Sequence, residues 1–324
     1  MIARKIMLGR TLLAGAMAFA LSVLAQEQDY PGSPIKIVVP AAPGATTDTL
    51  ARIIADQLQR KWGRPAIVDN RAGAAGNIGA EYAIKANPDG YTLLFSYPAP
   101  LVVNKSLYPK LAHDPDAFGP VSLVGTAPLV LAMHPNGVAN SVQQLIAFAR
   151  ANPNRLNYAS QGNGTTGHLA AEMFKSLAGV MIVHVPYKSS APAQTALLSG
   201  QVDMMFVELS SVLPQLSAGK LRALAVGERR SPLLPGIPAM SEVLPGFVAL
   251  TWFGMVAPPG TPAAIVNKLS AAIAQTLQQP DVAKRLLGMS VDAIGSTPAE
   301  MALFLRQERE RWDKVIRATG ATAE

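Results

Sequence analysis

The residues best suited to chemistry stand together in "SQGNGTTGHLAAEMF", Ser160 to Phe174. Gly162, Gly164 and Gly167 spell G-x-G-x-x-G, and Ser160, Thr165, Thr166 and His168 add polar side chains between and after them. Glycines let a backbone approach a ligand closely, and a helix that starts here presents free N–H groups and the positive end of its dipole. That chemistry suits an anion. A dinucleotide site requires three things: a strand before the glycines, a helix after them, and an acidic residue about 20 residues on to hold the ribose. "RLNYAS" and "HLAAEMFKSL" supply the first two, but the next strand, "IVHVPYKSS", ends without Asp or Glu. The nicotinamide reading fails on the third requirement, and no cofactor is expected.

A second loop of the same kind is "PAAPGATTDTLAR", residues 40–52, where Gly44 and Ala45 precede Thr46, Thr47 and Asp48 at a helix start. "RAGAAGN", residues 71–77, is a third candidate. For any one such loop, plain turn and capping chemistry is sufficient. Two hydroxyl-rich loops, one in each half of an α/β protein, point instead to a shared ligand cleft beyond the carboxyl ends of the strands. Asp48, Ser160 and His168 also invite a hydrolase triad. Ser160 lies in "NYASQGN", with Tyr158 where the nucleophile elbow G-x-S-x-G needs its first glycine. His113, His134, His168 and His184 are scattered along the chain without metal-ligand spacing. The chain has no cysteine, which excludes disulfides, thiolate metal sites and a cysteine nucleophile.

The elements that must position these loops alternate between short β-rich and helical runs. Strands are expected at 35–39, 66–70, 91–96, 155–159, 182–186, 202–207, 221–226 and 291–294. Helices are expected at 47–61, through about 85, and at 141–151, 166–178, 190–199, 211–218, 262–279, 281–287 and 298–318. Such alternation implies mostly parallel sheets with helices on both faces. Two long extended runs, 119–134 and 246–260, read as crossings between two α/β lobes. Lobe 1 is then 26–126 with 251–324, and lobe 2 is 127–250. In the last helix, Phe304, Trp312 and Ile316 face inward; Asp203 is read as a strand-start brace, and Arg229 with Arg230 as solvated surface.

Residues 1–25 read as a secretion signal. Arg4, Lys5 and Arg10 form a basic start, Thr11 to Ala25 is uncharged and mostly apolar, and Val23 and Ala25 suit a signal peptidase. The fifteen uncharged residues are short for a membrane anchor, which needs roughly 18 or more. Cleavage removes three basic and no acidic residues, taking the formal charge from +7 to +4. That is too mild to indicate nucleic acid, and it suits anionic ligands or simple solubility. Without a cysteine at the cleavage site the exported chain carries no lipid, so a soluble periplasmic monomer is expected.

The chain resembles the tripartite tricarboxylate transporter substrate-binding family, also called Bug or TctC-like. The resemblance rests on "YPGSPIKIVVPAAPGATTDTLAR", "VDNRAGAAGNIGA", "NPDGYTLL", "LNYASQGNGTTGHLAAEMF", "VHVPYKSSAPA", "LLSGQVDMMF", "GKLRALAV" and "WFGMVAPPGTP", in order over about residues 30–318. It implies a type II periplasmic binding fold with two α/β lobes and a cleft for small organic acids. It also implies that a ligand carboxylate is held by Gly44, Ala45, Thr46, Thr47 and Asp48 on one side and Ser160, Gly162, Gly164, Thr165, Thr166 and His168 on the other, partly through waters. A cognate membrane transporter or sensor is the implied partner. This sequence departs from the family pattern at Ala41 and Ala45, where Phe and a second Gly are usual, at Ser189 for Gly, and at Val207 followed by Glu208.

The expected function is therefore a non-enzymatic solute receptor, with an exported α/β hydrolase-like enzyme acting on an ester or acid as the alternative. Val207 and Glu208 are placed at the cleft, and Tyr97 and Trp252 are read as leaving room beside Ala41 for an apolar or aromatic ligand body. A ligand ammonium would need a buried carboxylate to pair it, since an unpaired buried charge is costly. Val207 follows "MMF" and Asp48 reads as a helix N-terminal residue, so an organic acid without an ammonium group is expected; Glu208, at the strand's end, is the one residue that would supply such a carboxylate by turning into the cleft.

Overall fold

A computed structural model describes residues 30–322 apart from Pro109 and Val248. The expected signal segment 1–25 lies outside these residues. The first half-sheet is built from β1 (Ile35–Val39), β2 (Ala66–Asn70) and β3 (Thr92–Ser96), connected by helices α1 (Thr46–Trp62) and α2 (Asn77–Ile84). A π-helical turn, Ala99–Val103, and the short helix α3 (Asn104–Leu107) follow β3. The long strand β4 (Gly119–Met133) then leaves the first sheet and enters a second.

The second sheet alternates likewise: α4 (Val142–Ala151), β5 (Asn157–Ser160), α5 (Thr166–Ala178), β6 (Val183–Pro186), α6 (Ser190–Leu198), β7 (Met204–Glu208), α7 (Leu209–Ser217) and β8 (Arg222–Val226). A short helix α8 (Met240–Val243) sits in the proline-rich stretch. Strand β9 (Leu250–Ala257) returns to the first sheet, followed by α9 (Ala263–Leu277), α10 (Pro280–Gly288), the two-residue β10 (Asp292–Ala293) and α11 (Pro298–Thr319).

The strand order β2-β1-β3-β9-β4-β7-β5-β6 runs through both sheets, with β8 and β10 also on β4. The outer strands pair in parallel, β1 with β2 and β3, and β5 with β6 and β7. The two crossing strands add antiparallel pairs, β9 to β3 and β4, and β4 to β7 and β8, so the sheets are mixed rather than mostly parallel. The physical reason is connectivity: a chain that leaves a sheet along β4 and comes back along β9 lays those two strands in opposite directions.

Period-2 alternation explains why both faces are covered. Ile37 and Val39 of β1 join a core under α1 and α9 with Leu50, Ile53 and Leu269, while Val38 between them faces α2 and Ala80. In β7, Met204 and Phe206 face α5, and Met205 and Val207 face α6 and α7. The α5 and α11 side forms one apolar cluster continuous over both sheets. Trp312 and Ile316 of α11 are buried in it, and Phe304 packs edge-on against Trp252. Glu308 ties this side together by accepting hydrogen bonds from the indole Nε1 of Trp252 (2.7 Å) and of Trp312 (3.2 Å). Trp252 is therefore a core residue, not a cleft wall. Asp203 braces as expected, exchanging backbone-to-side-chain bonds of 2.8 and 2.9 Å with Asn157.

Candidate functional site

The loops singled out in the sequence follow the carboxyl ends of parallel strands, β1 and β2 in the first sheet and β5 in the second. In the first loop the chain turns at Gly44, whose φ of +83° is the left-handed conformation that glycine adopts without strain. Ala45 follows in ordinary extended geometry, φ −67° and ψ 158°, so an alanine there costs the turn nothing. Asp48 pins the loop. Its Oδ2 accepts from Gly44 N (2.9 Å) and Arg52 Nε (3.0 Å), and its Oδ1 accepts from Asn70 Nδ2 (2.9 Å) and lies 2.9 Å from the terminal nitrogen of Arg52. Burial alone would raise this carboxyl, but the Arg52 bond, the Gly44 N–H and the Asn70 amide outweigh it and hold it below its ordinary value. Asn70 also donates to Ala41 O at 3.0 Å, joining β2 to the loop.

The second loop is held by neutral groups. Thr165 is the N-cap of α5: its hydroxyl accepts from His168 N (3.4 Å) and donates to Gly162 O (2.8 Å), and its own N–H reaches the same carbonyl (3.3 Å). The Ser160 hydroxyl, fully buried, accepts from Gly162 N (3.1 Å) and lies 2.7 Å from His184 Nε2. His168 Nδ1 accepts from Gly164 N (3.1 Å). The rings of His168 and His184 stack at 4.3 Å, and Tyr158 stacks on His184 at 4.7 Å. Two of the four histidines that are distant in sequence thus meet under the loop. Burial pushes both down to about 4, His184 further through its neighbour His168. Each is then a neutral ring, and the His168 tautomer has its lone pair on Nδ1.

The second loop meets the first half of the chain at α3. A Cβ on Gly164 would lie 2.5 Å from Leu107 of α3, which belongs to the first half of the chain. Beside it Asn104, fully buried, donates to Asn77 Oδ1 (2.7 Å) and Ala75 O (3.1 Å), linking α3 to the third candidate loop. Tyr97 fits between this loop and the first, its hydroxyl 3.5 Å from Pro40 O. At the start of α5, Gly167 lies so close to Phe206 O that a Cβ would meet it at 2.4 Å, which fixes the helix against the end of β7. A cavity of about 490 Å³ lies elsewhere, beside the crossings, lined by Thr126, Arg229, Arg230, Leu250 and Asp292 among others.

Residues 50–321 match the family described as "TctC: Tripartite tricarboxylate transporter family receptor". The chain belongs to this family. It is 39% identical over 296 residues to Protein BugT of Bordetella pertussis, covering 90% of this chain and 91% of that one. Among solved structures, "R. palustris Rpa4515 with adipate" matches with a TM-score of 0.84 and 36% identity, covering 91% of this chain and 99% of that one. "MatC (Rpa3494) from Rhodopseudomonas palustris with bound malate" matches with a TM-score of 0.80 and 32% identity, covering 89% and 100%. The fold is the type II periplasmic binding fold, and TctC-family members are solute-binding receptors. Among the described residues no helix is long and apolar enough to cross a membrane.

Within this TctC fold the expected site residues divide. Gly44, Ala45, Thr46, Gly162 and Thr166 keep exposed or partly exposed positions at the loops, and Thr47 is buried beside them. By helix geometry the N–H groups of Thr46, Thr47, Thr166 and Gly167 have no acceptor within their helices. Asp48, Ser160, Thr165 and His168 were expected to touch the ligand, but their side chains are spent on holding the loops, for the bonding reasons given above. Gly164 is buried against Leu107. Val207 is corrected outright: it is fully buried, facing α6 and α7. The next side chain along the strand points the other way, and Glu208 is the residue that reaches the second loop, accepting from Gln161 Nε2 at 3.2 Å. The sequence reading missed Gln161, Asn104, Asn70 and His184. Only Asn104, a polar residue closing the apolar run "PAPLVVN", carried a signal.

Proposed function

We propose that this chain is a periplasmic receptor that captures a small organic acid between the Gly44–Asp48 and Ser160–His168 loops and delivers it to a tripartite tricarboxylate-type transporter or to a sensor. The observation that carries this reading is the pairing of two helix starts, α1 and α5, each behind a parallel strand of a different sheet, with Gly164 of one loop seated on Leu107 of the opposite half. Backbone N–H groups at such starts bind carboxylates. The adipate and malate of the two solved relatives support a carboxylate ligand. The lobes divide at the crossings, 26–126 with 251–324 and 127–250, and close on the ligand about β4 and β9. The exported chain starts after residue 25, carries no lipid and acts as a monomer.

The reading includes no catalysis. The Ser160–His184 contact of 2.7 Å is the observation that would favour a hydrolase, but the Ser160 side chain is fully buried and also bonded to the Gly162 backbone. A nucleophile must reach its substrate, and this one faces the protein. Calorimetry with a panel of aliphatic and aromatic dicarboxylates tests the assignment, with the bound compound recovered unchanged and scattering profiles compacting on saturation. Failure of every carboxylate to bind, or hydrolysis of an ester beyond one equivalent, would overturn it.

A further inference from the structure

Glu208 ends β7 at the place where the two sheets join. Its backbone pairs with Leu129 of β4, and two residues earlier on β4 Ala127 pairs with Thr251 of the returning strand β9. Its side chain is partly exposed and turned toward the second loop, where Gln161, the residue directly after Ser160, donates to Oε2. Thr251 beside it is buried, and its Oγ1 has no hydrogen-bond partner of good geometry. Among the described residues no cation is bonded to the carboxyl: Arg229 and Arg230, which with Glu228 follow β8 beside β4, pair with Asp292 and Glu242. β4, β9, α6 and α7 contain no titratable residue. β5 and α5 contribute Tyr158, His168, Glu172 and Lys175; Lys175 is bound to Glu172 at 2.6 Å, and Glu172 accepts from Tyr158 at 2.6 Å. β8 contributes Arg222, which donates to Ala139 O at 3.2 Å. Burial raises the Glu208 carboxyl, and its own backbone N–H and the Thr251 hydroxyl offset part of that rise.

A partly exposed acid without a bonded counter-charge, reaching a loop suited to anions, is compatible with a dianionic ligand in one form only. An ionised carboxylate would repel a second carboxylate in a water-poor cleft, whereas a protonated one donates to it. We propose that Glu208 meets the ligand's second carboxylate as a neutral acid, so that capturing a dianion takes up a proton from solvent. This rests on the carboxylate-receptor reading above. The proton stays on Glu208 while the ligand remains a dianion, and release of the ligand returns the proton.

The test is calorimetry of the full chain with adipate and malate as probes, in two buffers of unlike ionisation enthalpy, over a pH series. The wild type is expected to give buffer-dependent heats corresponding to uptake of up to one proton. Its affinity should fall by as much as about tenfold per pH unit above the Glu208 titration. Glu208→Gln keeps a donor in the same place, so it should still bind, with heats independent of buffer and a flat pH profile. Thr251→Val removes a group that favours the ionised form, so the fall in affinity should move to higher pH. Adipate or malate binding with no proton uptake, and with the same profile in wild type and Glu208→Gln, would overturn the inference and leave the carboxylate receptor standing. Selective binding of an amino acid that is lost in Glu208→Gln would also overturn it, because Glu208 would then be a charged partner for an ammonium. If no carboxylate binds to either protein, the receptor reading falls and this inference falls with it.

Discussion

The loops that open α1 and α5 are held in place by opposite chemistry. The Gly44–Asp48 loop is fixed by a charge, the Asp48 carboxylate holding Gly44, Arg52 and Asn70. The Ser160–His168 loop is fixed by neutral groups, a serine, a threonine and two stacked imidazoles. Both leave helix N–H groups open at their tips. A loop can therefore be preorganised for an anion either by a buried carboxylate whose lone pairs are all occupied or by hydroxyls and neutral rings. The first is strong and vulnerable to a single substitution. The second is spread over several weaker bonds and depends on its histidines staying uncharged.

The largest expected effect separates the loops by substitution. Asp48→Ala strips the acceptor from Gly44 N, Arg52 and Asn70 at once; Arg52 is half exposed, so the loss is of hydrogen bonds to a buried carboxylate, about 2 kcal/mol. Ser160→Ala removes one neutral group and should cost about 1 kcal/mol. Denaturant unfolding of both variants checks this, and equal losses would mean that the charge is not what distinguishes the first loop. Gly167→Ala comes next. Its Cβ would meet Phe206 O at 2.4 Å, and overpacking against backbone costs about 2 kcal/mol. It should also weaken ligand binding, since α5 must move away from β7. A variant with wild-type stability and affinity would show that the helix start is not fixed by this contact.

A graded effect follows from pH, and it acts on the loops at different points. His168 and His184 lie near 4 in the folded chain against an ordinary value of 6.5. Between those values the unfolded chain binds more protons, so stability rises with pH there. Their contribution is complete above about 6.5 and is lost as pH falls toward 4. Asp48 is lowered below its ordinary 3.8, so its contribution survives down to that value and is lost only below it. Hydrogen exchange on acidification should therefore open Gly162–His168 before Gly44–Asp48. Simultaneous opening, or the reverse order, would contradict the assignment of neutral rings to the second loop.

This contrast marks how far the sequence could be read. The alternation of strands and helices was legible, because each strand is a short apolar run closed by glycine, proline or a polar cap. The first crossing was legible as an extended run too long for a buried strand of one sheet; of the second run, 246–260, only Leu250–Ala257 is strand, and it pairs within the first sheet. The antiparallel pairing of β4 and β9 was not legible, since direction within a sheet depends on which strand the chain returns beside. The two loops were found through glycines and hydroxyls at helix starts. Which of those hydroxyls face outward was not readable, because Ser160 and Thr165 are turned inward by partners distant in sequence or by the turn itself: His184 for one, Gly162 O for the other. Val207 and Glu208 show the same limit at single-residue scale. A strand's period of two says that they point oppositely, but not which of them faces the core until α6 and α7 are seen to cover Val207.

The smallest expected effect is the sharpest test of that inward–outward division. Thr46 opens α1 at a partly exposed position, whereas the Thr165 hydroxyl is committed to His168 N and Gly162 O. Thr165→Val removes an N-cap and should cost about 1 kcal/mol of stability, with affinity changed only as far as the loop loosens. Thr46→Val should leave stability nearly unchanged and cost about 1 kcal/mol of binding, roughly fivefold in affinity for a dicarboxylate such as adipate. Thermal unfolding and calorimetry on the two variants give four numbers with a crossed pattern. If Thr165→Val loses affinity at unchanged stability while Thr46→Val does not, the second loop turns its hydroxyl to the ligand on binding.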